Sequence, residues 1–148
     1  MPFGVHDPVA VLVAQDATFR EAGARGGEAE VGDVGTHENE RCDYPDFASA
    51  LAIGVANEGV KGILLCGSGI GVSMVANKYK GIRAALCRSV EDAELSIQHN
   101  NANVLCIGAR INSMTEIKAI TDAWLTAEFQ EGRHAERVAM FNSLGEDV

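Results

Sequence analysis

Cys66 stands directly before the run Gly67-Ser68-Gly69-Ile70-Gly71. An apolar stretch, Gly62–Cys66, leads into this run, and a helical pattern begins near Val72. A glycine-rich turn between a strand and a helix points several backbone N–H groups at one spot outside the carboxyl end of a sheet. Such a cradle binds an anion or steadies a developing oxyanion. A thiol at a helix N-terminus is favoured as its thiolate, the form that takes and returns a proton. Three other readings compete. A dinucleotide fingerprint lacks its third glycine, because Val72 stands there, and the next strand ends at Cys87-Arg88 with no acid for a ribose hydroxyl. An arginine there suits a 2′-phosphate instead. A phosphate-binding P-loop lacks its G-K-[ST] ending, since Lys78 lies well into the helix. The plainest alternative is a tight turn with no ligand, which a cysteine just before the loop makes less attractive. Cys87 and Cys106 read as small buried hydrophobes in apolar strands, and Cys42 as incidental in a polar loop.

Two further groups carry chemistry. Gln98-His99-Asn100-Asn101-Ala102-Asn103 ends a helix and leads into the strand Val104–Ile107. His99 at a helix carboxyl end is a cation in a favoured place, and capping alone explains it, but the carboxamides beside it suggest a polar pocket. Arg133 and Arg137 are four apart, so they share one helical face. Two such guanidinium groups grip an anion, a phosphate above all, with paired hydrogen bonds. A solvated basic face is the ordinary alternative. Arg110, just past a strand, is a third candidate cation.

The elements that must position these groups follow from pattern. Apolar runs at Val9–Ala14, Gly62–Cys66, Ile82–Leu86 and Val104–Ile107, with a weaker one near Glu30–Val34, alternate with amphipathic stretches. Continuous apolar strands between helices imply a three-layer, doubly wound α/β domain with about five parallel strands. Asp43 is a candidate N-cap with Pro45 in the first turn. Phe47, Leu51 and Val55, with Ala48 and Ala52, form one buried stripe. Ser89 with Asp92, and Ser113 with Glu116, have capping-box spacing. Ile117, Ile120, Trp124 and Leu125 line a further helix, and a last helix is expected from about Arg133 to Ser143.

The 148 residues suit one domain spanning the chain. A net charge of −9 argues against nucleic acid or an anionic membrane as partner. The four cysteines form no C-x-x-C pair and no histidines cluster at zinc spacing, so no metal is expected. Scattered thiols, no basic-then-apolar leader and no apolar stretch of spanning length point to a cytoplasmic protein.

Taken in order, the motifs resemble one family. Gly62-Ile-Leu-Leu-Cys-Gly-Ser-Gly-Ile-Gly71, Ala76-Asn-Lys78, Gly81-Ile-Arg-Ala-Ala85, His99-Asn-Asn-Ala-Asn-Val104 and Gly132-Arg-His134 resemble ribose-5-phosphate isomerase B and its relatives, as does Asp43-Tyr44-Pro45 preceded by Gly35-Thr36. The resemblance implies a Rossmann-like fold, a homodimer or homotetramer with shared active sites, and aldose–ketose isomerisation of ribose 5-phosphate and ribulose 5-phosphate without a cofactor. It implies Cys66 as the base that moves a proton between C1 and C2. Ser68 and the amides of Gly67, Gly69, Ile70 and Gly71 would steady the enediolate, and His99 would open the sugar ring. Asn100, Arg110 and, by position, Tyr44 would bind substrate, and Arg133 and Arg137 its phosphate. The family carries an Asp-His pair after its first strand. Here Asp16 matches the acid and Ala17 replaces the histidine, while His6-Asp7 offers another register. Hexose phosphates, or a binding-only or partner-dependent subunit, are the alternative readings.

Overall fold

The structure, a computed structural model, describes residues 10–14, 31–35 and 42–145. Its strands are β1 (Ala10–Ala14), β2 (Val31–Asp33), β3 (Lys61–Cys66), β4 (Ala84–Leu86) and β5 (Val104–Gly108). The helices are α1 (Tyr44–Glu58), α2 (Ile70–Ala76), α3 (Val90–Asn100), α4 (Met114–Thr126) and α5 (Arg133–Met140), with a 3-10 turn at Phe141–Ser143. The strands form one sheet in the order β2-β1-β3-β5-β4.

The central strands are buried on both faces, and alternation assigns each residue to a side. Leu64, Val104 and Cys106 join Leu51, Ala52 and Val55 of α1 and Val72 and Ala76 of α2 in one core cluster. Ile63, Leu105 and Ile107 join Ala93 and Ile97 of α3 and Ile117, Ile120 and Trp124 of α4 in the other. The expected three-layer α/β architecture is therefore present, with helices on both faces.

Strand direction departs from expectation on one side. β3, β5 and β4 are mutually parallel. β1, however, runs antiparallel to both β2 and β3, so the sheet is mixed rather than wholly parallel. β2 and β3 both run antiparallel to β1, so β2, α1 and β3 form a crossover unit with β1 lying between its two strands.

The helix starts divide. Ser113 and Glu116 make a full capping box. Ser89 accepts from the Asp92 N–H at 3.1 Å, while the Asp92 carboxylate accepts from Arg88 rather than from Ser89. Asp43 occupies the N-cap of α1, but its side chain makes no capping hydrogen bond. The α2 start lies at Ile70, two residues earlier than the sequence pattern suggested. β4 is an edge strand, and Asn77 covers its open side: the side chain donates to the Ala84 carbonyl at 2.9 Å and accepts from its N–H at 2.8 Å. That pairing occupies groups that would otherwise template another strand.

Candidate active site

The carboxyl end of β3 carries the first half of the site. Cys66 is half-buried, and its sulfur accepts from the Gly69 N–H at 3.1 Å. The Ser68 hydroxyl oxygen accepts from the Ile70 N–H at 3.2 Å. Gly69 is the N-cap of α2 with φ +76°, a conformation that disfavours any side chain. The loop is tied to the end of β5: Ala109 N–H donates to the Cys66 carbonyl at 2.8 Å and Arg110 N–H to the Gly67 carbonyl at 3.0 Å. This brings Arg110 to the flank of the loop, as its position at a strand tip suggested. Tyr44, the first residue of α1, lies against Gly71 so closely that a Cβ there would stand 2.6 Å from the Tyr44 ring carbon Cζ. Cys66, Ser68, Gly67, Gly69, Ile70, Gly71, Tyr44 and Arg110 are thus brought together.

Gly108 belongs with them and was not singled out from the sequence. A Cβ at Gly108 would stand 2.6 Å from the Ser68 carbonyl oxygen, so the cradle can settle on β5 only over a glycine. Its signal was faint: a lone glycine closing the apolar run of β5.

The second half gathers on α3 and α5. His99 lies in the last turn of α3, and its ring stacks on that of His134 with centroids 4.3 Å apart and planes 7° from parallel. The Gln130 N–H donates to the Gln98 carbonyl at 3.0 Å, which fixes the start of α5 beside the end of α3. Arg133 and Arg137 follow on α5, a helix with no buried residue. Asn100 is the last residue of α3 and is exposed. Two of the carboxamides that suggested a pocket are structural. Asn101 is the left-handed C-cap of α3 with φ 47°. Asn103 accepts from the Arg83 N–H and donates to the Gly81 carbonyl, both at 2.8 Å, and so pins the turn before β4.

The two halves do not meet within one chain. β3 and β5 are parallel with Cys66 opposite Gly108 and Gly62 opposite Val104. His99 precedes β5, so it sits at the amino end of the sheet while Cys66 sits at the carboxyl end. Four strand residues separate those ends, or roughly 13 Å at the usual rise. The faces also differ, since Cys66 packs with the α1 and α2 cluster and α3 with the opposite one. A cavity of about 320 Å³ at the β4 edge reaches Asn100, and another of about 470 Å³ beside it is lined by Lys78, Lys80 and Arg83, but neither is lined by Cys66. Asp16 lies outside the described residues.

The other thiols are chemically quiet. Burial pushes Cys87 up to about 11, with Asp92 adding to it and a Ser96 hydrogen bond opposing it. Burial also raises Cys106, with smaller contributions from Cys66 and Cys87. Cys42 packs partly buried against the α1 cluster, so it is a packing residue rather than an incidental one in a polar loop. No helix among the described residues is long and apolar enough to cross a membrane.

An α/β sheet with a thiol and an amide cradle at one strand tip, and an imidazole beside paired arginines at the far end, has the parts of an acid–base enzyme acting on an anionic substrate. The comparisons give that class its family. Residues 18–141 match the Ribose/Galactose Isomerase family model, and the chain belongs to that family. It is similar to ribose-5-phosphate isomerase B of Escherichia coli strain K12, with 47% identity over 116 residues, 78% of each chain. Among solved structures it resembles ribose-5-phosphate isomerase B of Clostridium thermocellum, with TM-score 0.78, 45% identity and coverage of 84% and 83% of the two chains. It also resembles ribose-5-phosphate isomerase B of Mycoplasma genitalium with bound ribulose-5-phosphate, with TM-score 0.69, 42% identity and coverage of 75% and 76%.

Proposed function

We propose that this chain interconverts ribose 5-phosphate and ribulose 5-phosphate through an enediolate. The observation that carries this reading is the Cys66 sulfur held within its own cradle, 3.1 Å from the Gly69 nitrogen, in a chain of this family. The Cys66 thiolate takes the proton from C2 of the open-chain aldose. Charge then develops on the C1 oxygen, where Ser68 and the loop amides supply preorganised donors. The proton on the C2 hydroxyl passes to the C1 oxygen, the thiol returns its own proton to C1, and the ketose results. His99 opens the furanose by moving a proton to the ring oxygen and from the C1 hydroxyl. Arg133 and Arg137 clamp the phosphate, and Asn100, Arg110, Tyr44 and Asp16 contact the sugar. None of these steps calls for a metal or nucleotide.

Because the halves lie at opposite ends and on opposite faces of the sheet, each complete site takes Cys66 from one copy and His99, Asn100, Arg133 and Arg137 from another. A two-fold dimer supplies two such sites at once. Free cysteines, one of them the base, suit a reducing compartment and a cytoplasmic enzyme. The test is turnover of ribose 5-phosphate by the purified protein with chelator present. Cys66→Ala should lower kcat by about 10²- to 10⁴-fold while phosphate-ligand binding persists. A Cys66→Ala variant with normal kcat removes the assignment.

A second reading draws on Ala17 in place of the family histidine: a partner-dependent subunit that binds sugar phosphate without turnover. Thermal stabilisation by pentose and hexose phosphates with no product from any of them supports that reading instead.

A further inference from the structure

We infer that His134 is a positioning residue for His99: its ring is the flat face against which the ring-opening imidazole is held. The inference rests on the isomerase reading and extends it to a residue given no role there. His134 and His99 come from different helices, α5 and α3, yet their rings lie 4.3 Å apart and within 7° of parallel. Offset or parallel contact between two flat rings fixes an orientation that a side chain at an exposed helix end otherwise lacks. His99 is in the last turn of α3 and is only half-covered, so packing from its own helix does little to set its χ angles.

The surroundings of the stack also bear on the charge of His134, because a positive ring or guanidinium close by disfavours a charged imidazole. The charged groups acting on His134 are His99 across from α3 and Arg133 and Arg137 on its own helix. The 3-10 turn packed against α5 is Phe141-Asn142-Ser143 and adds no charge. Desolvation first, and then those three groups, hold His134 below the ordinary imidazole value. The charged form of His134 is therefore disfavoured, which suits a ring that supplies a flat face rather than a proton. The α5 helix then serves two purposes. It carries the phosphate clamp, and through His134 it sets the acid at a fixed place relative to that clamp.

The two sugars separate this role from a general loss of structure. Ribose 5-phosphate is mostly a furanose and needs its ring opened. Ribulose 5-phosphate has no ring to open, because its C5 oxygen carries the phosphate. His134→Ala should lower kcat on ribose 5-phosphate by about 10²-fold, the cost of a misplaced catalytic group. Turnover of ribulose 5-phosphate should stay within a few-fold of the unsubstituted protein, and KM for both sugars should hardly move. His134→Phe restores a flat face without a titrating group and should recover most of the lost rate.

Equal loss on both sugars, no loss on either, or a Phe variant as poor as Ala overturns the inference while the isomerase reading stands. No turnover of either sugar by the unsubstituted protein overturns both.

Discussion

At the scale of single residues, four cysteines divide by surroundings rather than by sequence type. Cys66 has a backbone donor on its sulfur and lies half-exposed at a strand tip. Cys87 and Cys106 are sealed in the core, where a thiolate has neither water nor a cation. The cost of charging them appears as pH dependence. Cys87 rises from an ordinary value of 9.0 to about 11 on folding, so the folded state prefers its neutral form. A raised value adds stability that is complete below the unfolded value and is lost as pH climbs through the folded one. The melting temperature is therefore expected to fall between about pH 9 and 11, and Cys87→Ala to flatten part of that decline relative to its own neutral-pH value. A melting curve with the same alkaline slope in both proteins contradicts this.

Elements carry the next layer. β3, β5 and β4 and the five helices were legible because burial on two faces, helical periodicity and cap chemistry are all written locally. Ser113 with Glu116 is the clearest instance, since both reciprocal hydrogen bonds form. Ser113→Ala should lower stability by about 1 kcal/mol and leave kcat unchanged, because α4 carries no proposed site residue. Chemical denaturation beside a steady-state assay reads both, and a change in kcat would place α4 in the chemistry. Direction was not legible in the same way. An apolar run reads the same in either sense, so sequence pattern groups β1 with the parallel strands, whereas it runs antiparallel to β2 and β3. Gly108 is silent in sequence for a related reason: its use depends on the Ser68 carbonyl arriving from another loop, a contact no local pattern encodes. Asn101 and Asn103 show the converse, since their pocket-like sequence serves a cap and a turn.

At the scale of the whole molecule, the candidate site residues fall into two separate groups, a distribution that local sequence pattern does not encode. Periodicity groups residues on one helix or one strand, but it does not say that Cys66 and His99 occupy opposite ends of the sheet. Each half has exposed apolar residues in its neighbourhood. Ile70, Met74, Ile111 and Met114 follow the carboxyl ends of β3 and β5, and Met140, Phe141 and Leu144 continue α5. The two-fold dimer proposed above, which brings thiol and imidazole together, would draw on exposed apolar residues of this kind for its contact. The net charge of −9 makes the local placement of Arg133 and Arg137 the more pointed, because an anionic substrate must find positive charge on an otherwise repelling surface.

The most direct measurement is complementation between two inactive variants, Cys66→Ala and His99→Ala, on ribose 5-phosphate. Each alone should be nearly inactive. After unfolding and refolding together, mixed dimers hold one intact site of two, and about a quarter of the unsubstituted activity should return for random two-fold pairing. No recovery, with mixed dimers demonstrated by mass, contradicts a site shared between copies.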